Sequence, residues 1–108
     1  MASSADYLTF LLDQLSELDG ITYRRMMGEY LLYLNGRLFG GLYDERLMVK
    51  PVPAALALLP AAPQEPPYPG AKPLLVVEQV DDRSFLTELV RAMEPELPLP
   101  KPKRRKHT

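Results

Sequence analysis

A single Asn-Gly pair constrains the fold of this chain more than any other feature. Asn35 and Gly36 separate two apolar runs, residues 30–34 and 37–43, which are rich in leucine and tyrosine. Asn-Gly is the preferred pair for a two-residue hairpin turn, because both of its residues must adopt a positive φ angle. The sequence therefore predicts two antiparallel strands that are joined at this turn.

The same pattern predicts further strands on both sides of the hairpin. An earlier strand begins at Ile21, and a weaker turn at Asp44 and Glu45 leads to a strand over residues 46–50. We expect an antiparallel meander of three or four strands. Because neither face of residues 30–34 is plainly polar, both faces of the sheet should be covered, one by helices and the other by a second copy of the chain.

Three segments have the spacing of helices. Leucines at i, i+3, i+4 and i+7 predict an amphipathic helix over residues 3–19, with Ser3 and Asp6 as a capping box. Alanine and leucine after a proline predict a short helix over 53–59. Apolar residues at helical spacing after two aspartates predict a last helix over 82–94.

The remaining segments complete an α+β fold with helices against an antiparallel sheet. Residues 60–73 contain six prolines and one glycine, which argues against a regular element and predicts an extended, exposed loop. Residues 74–80 predict another strand. We expect one domain over residues 1–94 and a mostly disordered tail over 95–108, because the tail has too little apolar surface to offset the entropy of ordering.

The inventory of reactive side chains is poor. The 108 residues include no cysteine, and His107 is the only histidine. Disulfides, thiolate metal sites and a histidine-activated nucleophile within the domain are therefore excluded. We expect no enzymatic activity, no cofactor and no metal. The chain lacks a secretory signal and an apolar run of membrane-spanning length, which predicts a cytoplasmic protein with no membrane partner.

The net charge of -1 conceals a division of charge along the chain. Residues 1–100 contain eight Lys and Arg against fourteen Asp and Glu, and this acidic balance argues against a large nucleic-acid surface. The basic residues of the tail are Lys101, Lys103, Arg104, Arg105 and Lys106. They leave weak nucleic-acid binding open as one alternative and a solvated tail without function as the other.

The residues around the hairpin resemble a known family. Its pattern Arg-Arg-Met-x-Gly-x-Tyr-x-x-Tyr-x-x-Gly-x-x-Phe-Gly occurs here as Arg24, Arg25, Met26, Gly28, Tyr30, Tyr33, Gly36, Phe39 and Gly40. Over about residues 5–94 the chain is similar to the N-terminal domain of the TfoX/Sxy competence regulators. Met27 departs from the family, in which an aromatic residue is usual at this position. The resemblance implies an α+β fold like that of secretion chaperones, no established enzyme activity, and a stand-alone module of a regulatory family.

Candidate binding residues concentrate in the same part of the chain. Arg24 and Arg25 are neighbours on a strand, so their side chains should point to opposite faces. An arginine together with Lys50 could bind a phosphate or a carboxylate. Alternatively, an arginine could pair with Glu29, Asp44 or Glu45 and fix the turn. The tyrosines could line a ligand groove or an interface, or pack across strands. The full candidate set is Arg24, Arg25, Tyr30, Tyr33, Lys50 and Tyr68.

The leading interpretation is a regulatory protein-interaction module that forms a homodimer and binds an unidentified protein partner. One alternative is a small-anion binder, or an enzyme, that uses Arg24, Arg25, Tyr30 and Lys50. The other is weak nucleic-acid binding through the basic tail. A closed, conspicuous pocket around Lys50 would favour the ligand alternative, whereas a flat apolar patch buried between two copies would favour the interaction module.

Overall fold

The computed structural model describes residues 4–100 and has the α+β architecture that the sequence predicts. The elements in chain order are α1 (Ala5–Gln14), β1 (Ile21–Met26), β2 (Glu29–Leu34), β3 (Arg37–Tyr43), β4 (Arg46–Val49), α2 (Pro53–Leu58), β5 (Gln64–Glu65), β6 (Leu74–Val77) and α3 (Arg83–Met93), followed by a 3₁₀ turn, Glu94–Glu96. Within the described part of the chain, no helix is both long and apolar enough to cross a membrane.

The six strands form one antiparallel sheet in the order β1-β2-β3-β4-β6-β5. The first four strands are the predicted meander, joined by two-residue turns. Asn35 and Gly36 have φ angles of 52° and 81°, and Asp44 and Glu45 have φ angles of 54° and 61°, so both predicted turns use left-handed backbone. The structure adds a third turn of this kind, at residues 27–28.

The sheet has two unlike faces. Residues such as Leu32, Leu42 and Leu47 pack with all three helices in the main core. The opposite face, here called the outer face, carries a smaller cluster formed by Tyr43, Met48 and Val76 with the partly buried Leu31 and Leu74. Part of the outer face is therefore buried by residues of this chain, and its cover by a second copy stays a prediction.

A β-bulge explains the glycine pair in β3. The register between β2 and β3 shifts at Leu32 and Tyr33, which leaves Phe39 as the extra residue of β3. A side chain on Gly40 would collide with the Met48 carbonyl, and one on Gly41 would come within 2.9 Å of the Tyr43 ring. The shift is a β-bulge just before the two glycines, where the neighbouring backbone and the Tyr43 ring leave no room for side chains.

The first helix is shorter than the sequence predicts. It ends at Gln14, and residues 15–19 continue in turns whose N–H groups bond back three or four residues. Leu15 and Leu18 remain buried, because the turns keep them on the core side. The helix is capped by Ser4, whose hydroxyl accepts a hydrogen bond from the Tyr7 amide at 3.1 Å. The predicted cap, Ser3, lies outside the described residues.

The proline-rich segment contains a short strand, so the prediction that it has no regular element is wrong. Residues Gln64–Glu65 pair with β6 at the edge of the sheet, and the Pro63 carbonyl accepts a hydrogen bond from Val76 N–H at 2.9 Å. Proline lacks a donor but keeps its acceptor, which is sufficient at an edge. Conversely, β6 ends at Val77, three residues before its predicted end at Val80.

The packed part of the chain continues beyond the boundary expected at residue 94. Asp82 caps α3 as predicted, with its carboxylate accepting from Phe85 N–H at 3.0 Å. After α3, the 3₁₀ turn brings Leu97 into the main core with 5% of its surface exposed. The tail therefore begins after Leu97 and not at residue 95. The basic residues of the tail, which fall within 101–108, lie outside the described part.

Candidate functional site

The structure divides the predicted set of site residues between different places. Tyr30 is buried on the helix side of the sheet, where its ring contacts that of Tyr23 edge to face at 5.9 Å. Tyr33 is half-buried on the outer face, and Lys50 and Tyr68 line a cavity on that face. Arg24 and Arg25 lie on β1, at the edge of the sheet. The six residues do not form one site.

The two arginines are exposed on opposite faces of β1. Arg24 pairs with Leu31 of β2, on the outer face, and Arg25 pairs with Tyr30, on the helix side. Within residues 4–100 neither guanidinium has an ion pair or a side-chain hydrogen bond. Of the carboxylates that the arginines were expected to pair with, Glu29 instead accepts from the Asp44 amide at 3.3 Å.

Strand β1 is the longer of the two edges of the sheet. It has six residues and pairs only with β2, so one row of its backbone N–H and C=O groups faces away from the sheet. Tyr23, Met26 and Met27 are 48%, 46% and 94% exposed. We call residues 21–27 the β1 edge. Its two charged residues are both arginines, although residues 1–100 as a whole are acidic.

A second feature is a cavity of about 150 Å³ on the outer face, here called the lysine–tyrosine cavity. Strand β3, the end of β4 and the proline-rich loop before β6 surround it. Its lining residues are Leu38, Gly40, Tyr43, Lys50, Pro67, Tyr68, Ala71, Lys72 and Leu74. The loop predicted to extend into solvent thus returns to the sheet and places Tyr68 and Lys72 opposite β3.

Tyr43 lies on the outer face, where it lines the lysine–tyrosine cavity. Its ring lies against Gly41, where a side chain would leave no room for it. Burial raises the pKa of the Tyr43 hydroxyl above its usual value, and the nearby Tyr68, Glu29 and Tyr33 raise it further. The phenol is therefore neutral at physiological pH and remains a hydrogen-bond donor.

Of the other polar residues of the cavity, Tyr43 was among the tyrosines expected to line a groove or to pack across strands, whereas Lys72 was not predicted. Gly41 pairs with Met48 on the outer face. Because side chains alternate along a strand, Tyr43, two residues after Gly41, lies on the same face. No comparable signal marks Lys72, because its position depends on the path of the loop. Among residues 4–100, no three His, Cys, Asp or Glu side chains cluster as metal ligands would.

The remaining charged contacts tie elements of the fold together. Arg83 of α3 pairs with Asp13 of α1 at 3.0 Å, and Arg46 pairs with Glu65 at 2.8 Å. Arg37 donates to the Glu94 carbonyl at 2.6 Å and so fixes the end of α3 against β3. These side chains have structural partners, which distinguishes them from the arginines of β1.

Comparison with known proteins gives one family and one close relative. A family model described as the TfoX N-terminal domain matches residues 13–93. An uncharacterized 12.7 kDa protein in the trpE 5′ region of Spirochaeta aurantia is 35% identical over 107 residues, which are 98% of this chain and 93% of that protein. No solved structure matches the chain.

Proposed function

The chain belongs to the TfoX N-terminal domain family, and from that premise we propose that it is a non-enzymatic, regulatory protein-interaction module. Its partner adds a strand to the β1 edge. The observation that carries the proposal is this edge itself, a six-residue strand with exposed side chains and a free row of backbone groups. A regulatory role agrees with the family, whereas the partner must be inferred from the chemistry of the edge.

Strand addition suits the β1 edge better than the opposite edge of the sheet. An added strand obtains its affinity from main-chain hydrogen bonds and its specificity from alternate side chains. Strand β5 offers only two residues and is followed by Pro66 and Pro67, so few donors are available there. On β1 the exposed side chains of Tyr23 and Met26 provide apolar contacts beside the backbone.

The charge of the β1 edge favours an acidic partner. Arg24 and Arg25 project from opposite faces of the strand, so a partner strand would meet one guanidinium on each face. Carboxylates at neighbouring positions of that strand would pair with both. Charged side chains on an edge strand can also prevent unspecific pairing with other strands. A purely protective role of the two arginines is therefore the alternative to binding.

A second copy of the chain is a poor occupant of this edge. Two β1 strands that pair antiparallel about a two-fold axis would bring Arg24 and Arg25 of both copies together, and like charges across strands are unfavourable. We therefore assign the homodimer predicted from the sequence to the outer face, where Leu31, Tyr33 and Leu38 are only half-buried.

Titration of the ¹⁵N-labelled protein with a capped hexapeptide Val-Val-Glu-Glu-Val-Val, whose adjacent glutamates project to opposite faces of a strand, tests the proposal. We expect amide shifts and hydrogen-exchange protection to concentrate on residues 21–27. The double variant Arg24→Glu with Arg25→Glu should bind the peptide roughly tenfold more weakly, because each charge-assisted contact contributes about 1.5 to 3 kcal/mol before screening. Arg91→Glu, at an exposed position of α3, reverses one charge away from β1 and is the net-charge control for the single variants Arg24→Glu and Arg25→Glu.

Three results would contradict strand addition at β1. The first is equal binding of a lysine–valine peptide, which would indicate unspecific pairing at a free edge. The second is shifts that map to the helices or to β5. The third is an equal loss of binding in Arg91→Glu, which would indicate only a general effect of net charge.

A further inference from the structure

The lysine–tyrosine cavity brings two cations together on the outer face. Lys50 follows β4 and Lys72 precedes β6, and both line the cavity although 22 positions separate them in the chain. No acidic residue lines the cavity, and within residues 4–100 neither lysine forms an ion pair. Two ammonium groups without a carboxylate partner on one open cavity favour an anion.

The other walls of the cavity are apolar and aromatic. Leu38, Leu74 and Pro67 provide aliphatic surface, and Tyr43 and Tyr68 provide rings. A volume of about 150 Å³ is close to that of an engineered protein cavity that holds one benzene molecule. The cavity therefore suits a ligand with one ring or a short branched chain.

We propose that the lysine–tyrosine cavity binds a small monocarboxylate whose apolar body is about the size of a benzene ring. Lys50 and Lys72 hold the carboxylate, and the Tyr43 hydroxyl donates a hydrogen bond to it. The apolar body lies against Leu38 and Leu74. Inorganic phosphate fits this cavity less well, because its oxygens would leave the apolar walls without a partner.

This proposal goes beyond the interaction module and does not depend on it. The cavity lies on the outer face between β3 and the proline-rich loop, and strand β2 separates β3 from the β1 edge. Substitutions in one place leave the side chains of the other untouched. The two proposals can therefore fail separately.

Benzoate is the probe, and chemical shifts of the ¹⁵N-labelled protein are the measurement. At constant ionic strength, we expect saturable benzoate shifts at the amides of residues 38–43 and 71–74. Benzyl alcohol, which has the same ring without the charge, should bind roughly tenfold more weakly, since charge-assisted hydrogen bonds are lost. Inorganic phosphate should neither shift these amides in the same way nor displace benzoate.

Two double variants provide matched charge changes. Lys50→Gln with Lys72→Gln should weaken benzoate binding roughly tenfold and leave benzyl alcohol binding unchanged. Arg24→Gln with Arg25→Gln removes the same charge from the β1 edge and should leave benzoate binding unchanged. If the lysine pair variant does not fold, Lys72→Gln alone, in an exposed loop position, still tests the contact.

Four outcomes would overturn the proposal. They are the absence of saturable benzoate shifts, equal affinity for benzyl alcohol, displacement of benzoate by phosphate at similar concentration, and an equal loss of binding in the lysine and arginine pair variants. The last outcome would mean that benzoate responds to net charge and not to the cavity.

Discussion

Met27 occupies a backbone conformation that suits glycine or asparagine better than methionine. It has a φ angle of 52° at the first position of the turn between β1 and β2, and 94% of its side chain is exposed. Left-handed backbone is costly for most side chains, whereas asparagine adopts it readily. We expect Met27→Asn to raise the free energy of unfolding by about 0.5 kcal/mol, measured by urea denaturation.

The same replacement one residue earlier is the control for Met27. Met26 is a strand residue without a positive φ angle, so Met26→Asn should not stabilise the fold. If both variants change stability equally, turn strain does not explain the effect. If only Met27→Asn stabilises the fold, the left-handed backbone at Met27 is strained. An exposed methionine in a strained conformation agrees with a binding role of the β1 edge at some cost in stability.

Tyr43 should make the fold sensitive to alkaline pH. Its pKa is raised above the usual value of 10 in the folded protein, so the unfolded chain loses this proton first as the pH rises. The contribution of Tyr43 is fully present below pH 10 and is lost as the pH rises from 10 through the folded pKa. We expect Tyr43→Phe to flatten the loss of melting temperature above pH 10.

A comparison of two Tyr→Phe variants isolates this effect. Burial also raises the pKa of Tyr7, so Tyr43→Phe should reduce the alkaline loss without abolishing it. The exposed Tyr23 controls for the loss of a phenol, and Tyr23→Phe should flatten the profile less. Equal flattening in both variants would show that burial of Tyr43 has no bearing on alkaline stability.

The elements that sequence reasoning predicted are those whose signals are local. Asn35-Gly36 specifies its turn through the φ angles that these residues tolerate, and Asp82 caps α3 through a hydrogen bond three residues away. The turn at Met27-Gly28 was missed because methionine carries no turn signal. Strand β5 was missed because its pairing with β6 overrides the proline content of the segment.

Leu97 belongs to the fold although it follows the last helix. The 3₁₀ turn places it in the main core, and Asn35 supports this arrangement by donating to the Glu94 carboxylate at 2.8 Å. We expect Leu97→Ala to lower the free energy of unfolding by about 2 kcal/mol, the low end for a buried leucine, because the site is near the end of the core. Urea denaturation measures the change.

Leu99 is the matched control for this prediction. It has the same side chain two residues later and is 71% exposed, so Leu99→Ala should change stability by less than about 0.5 kcal/mol. Equal effects of the two replacements would place the end of the packed chain before Leu97, at the boundary that composition alone predicts.

The two candidate sites of the molecule differed in how far they could be predicted. The β1 edge was visible in part, since Arg24 and Arg25 stood out as adjacent cations on a strand. The lysine–tyrosine cavity was not, because it exists only after the proline-rich loop has folded over β3 and brought Lys72 near Lys50. Such a juxtaposition depends on tertiary packing and leaves no pattern in consecutive residues.

The outer face is the surface to which we assign the proposed homodimer. It retains half-buried apolar residues outside the lining of the lysine–tyrosine cavity, at Leu31 and Tyr33. In a two-fold symmetric dimer that uses this face, each substitution occurs twice in the interface. We expect Leu31→Glu to weaken the dimer at least tenfold. The introduced glutamates of both copies would lose their hydrating water in an interface where only apolar side chains contact them. Light scattering after size exclusion, over a range of concentrations, measures this change.

Met27→Glu separates the outer face from the β1 edge as the dimer surface. It introduces the same charge at an exposed apolar position of the edge, and it should leave the dimer intact. Circular dichroism must show that both variants are folded. A wild-type chain that stays monomeric at every concentration would rule out the homodimer. A dimer lost only in Met27→Glu would instead place the contact at the β1 edge, despite the repulsion between the arginines.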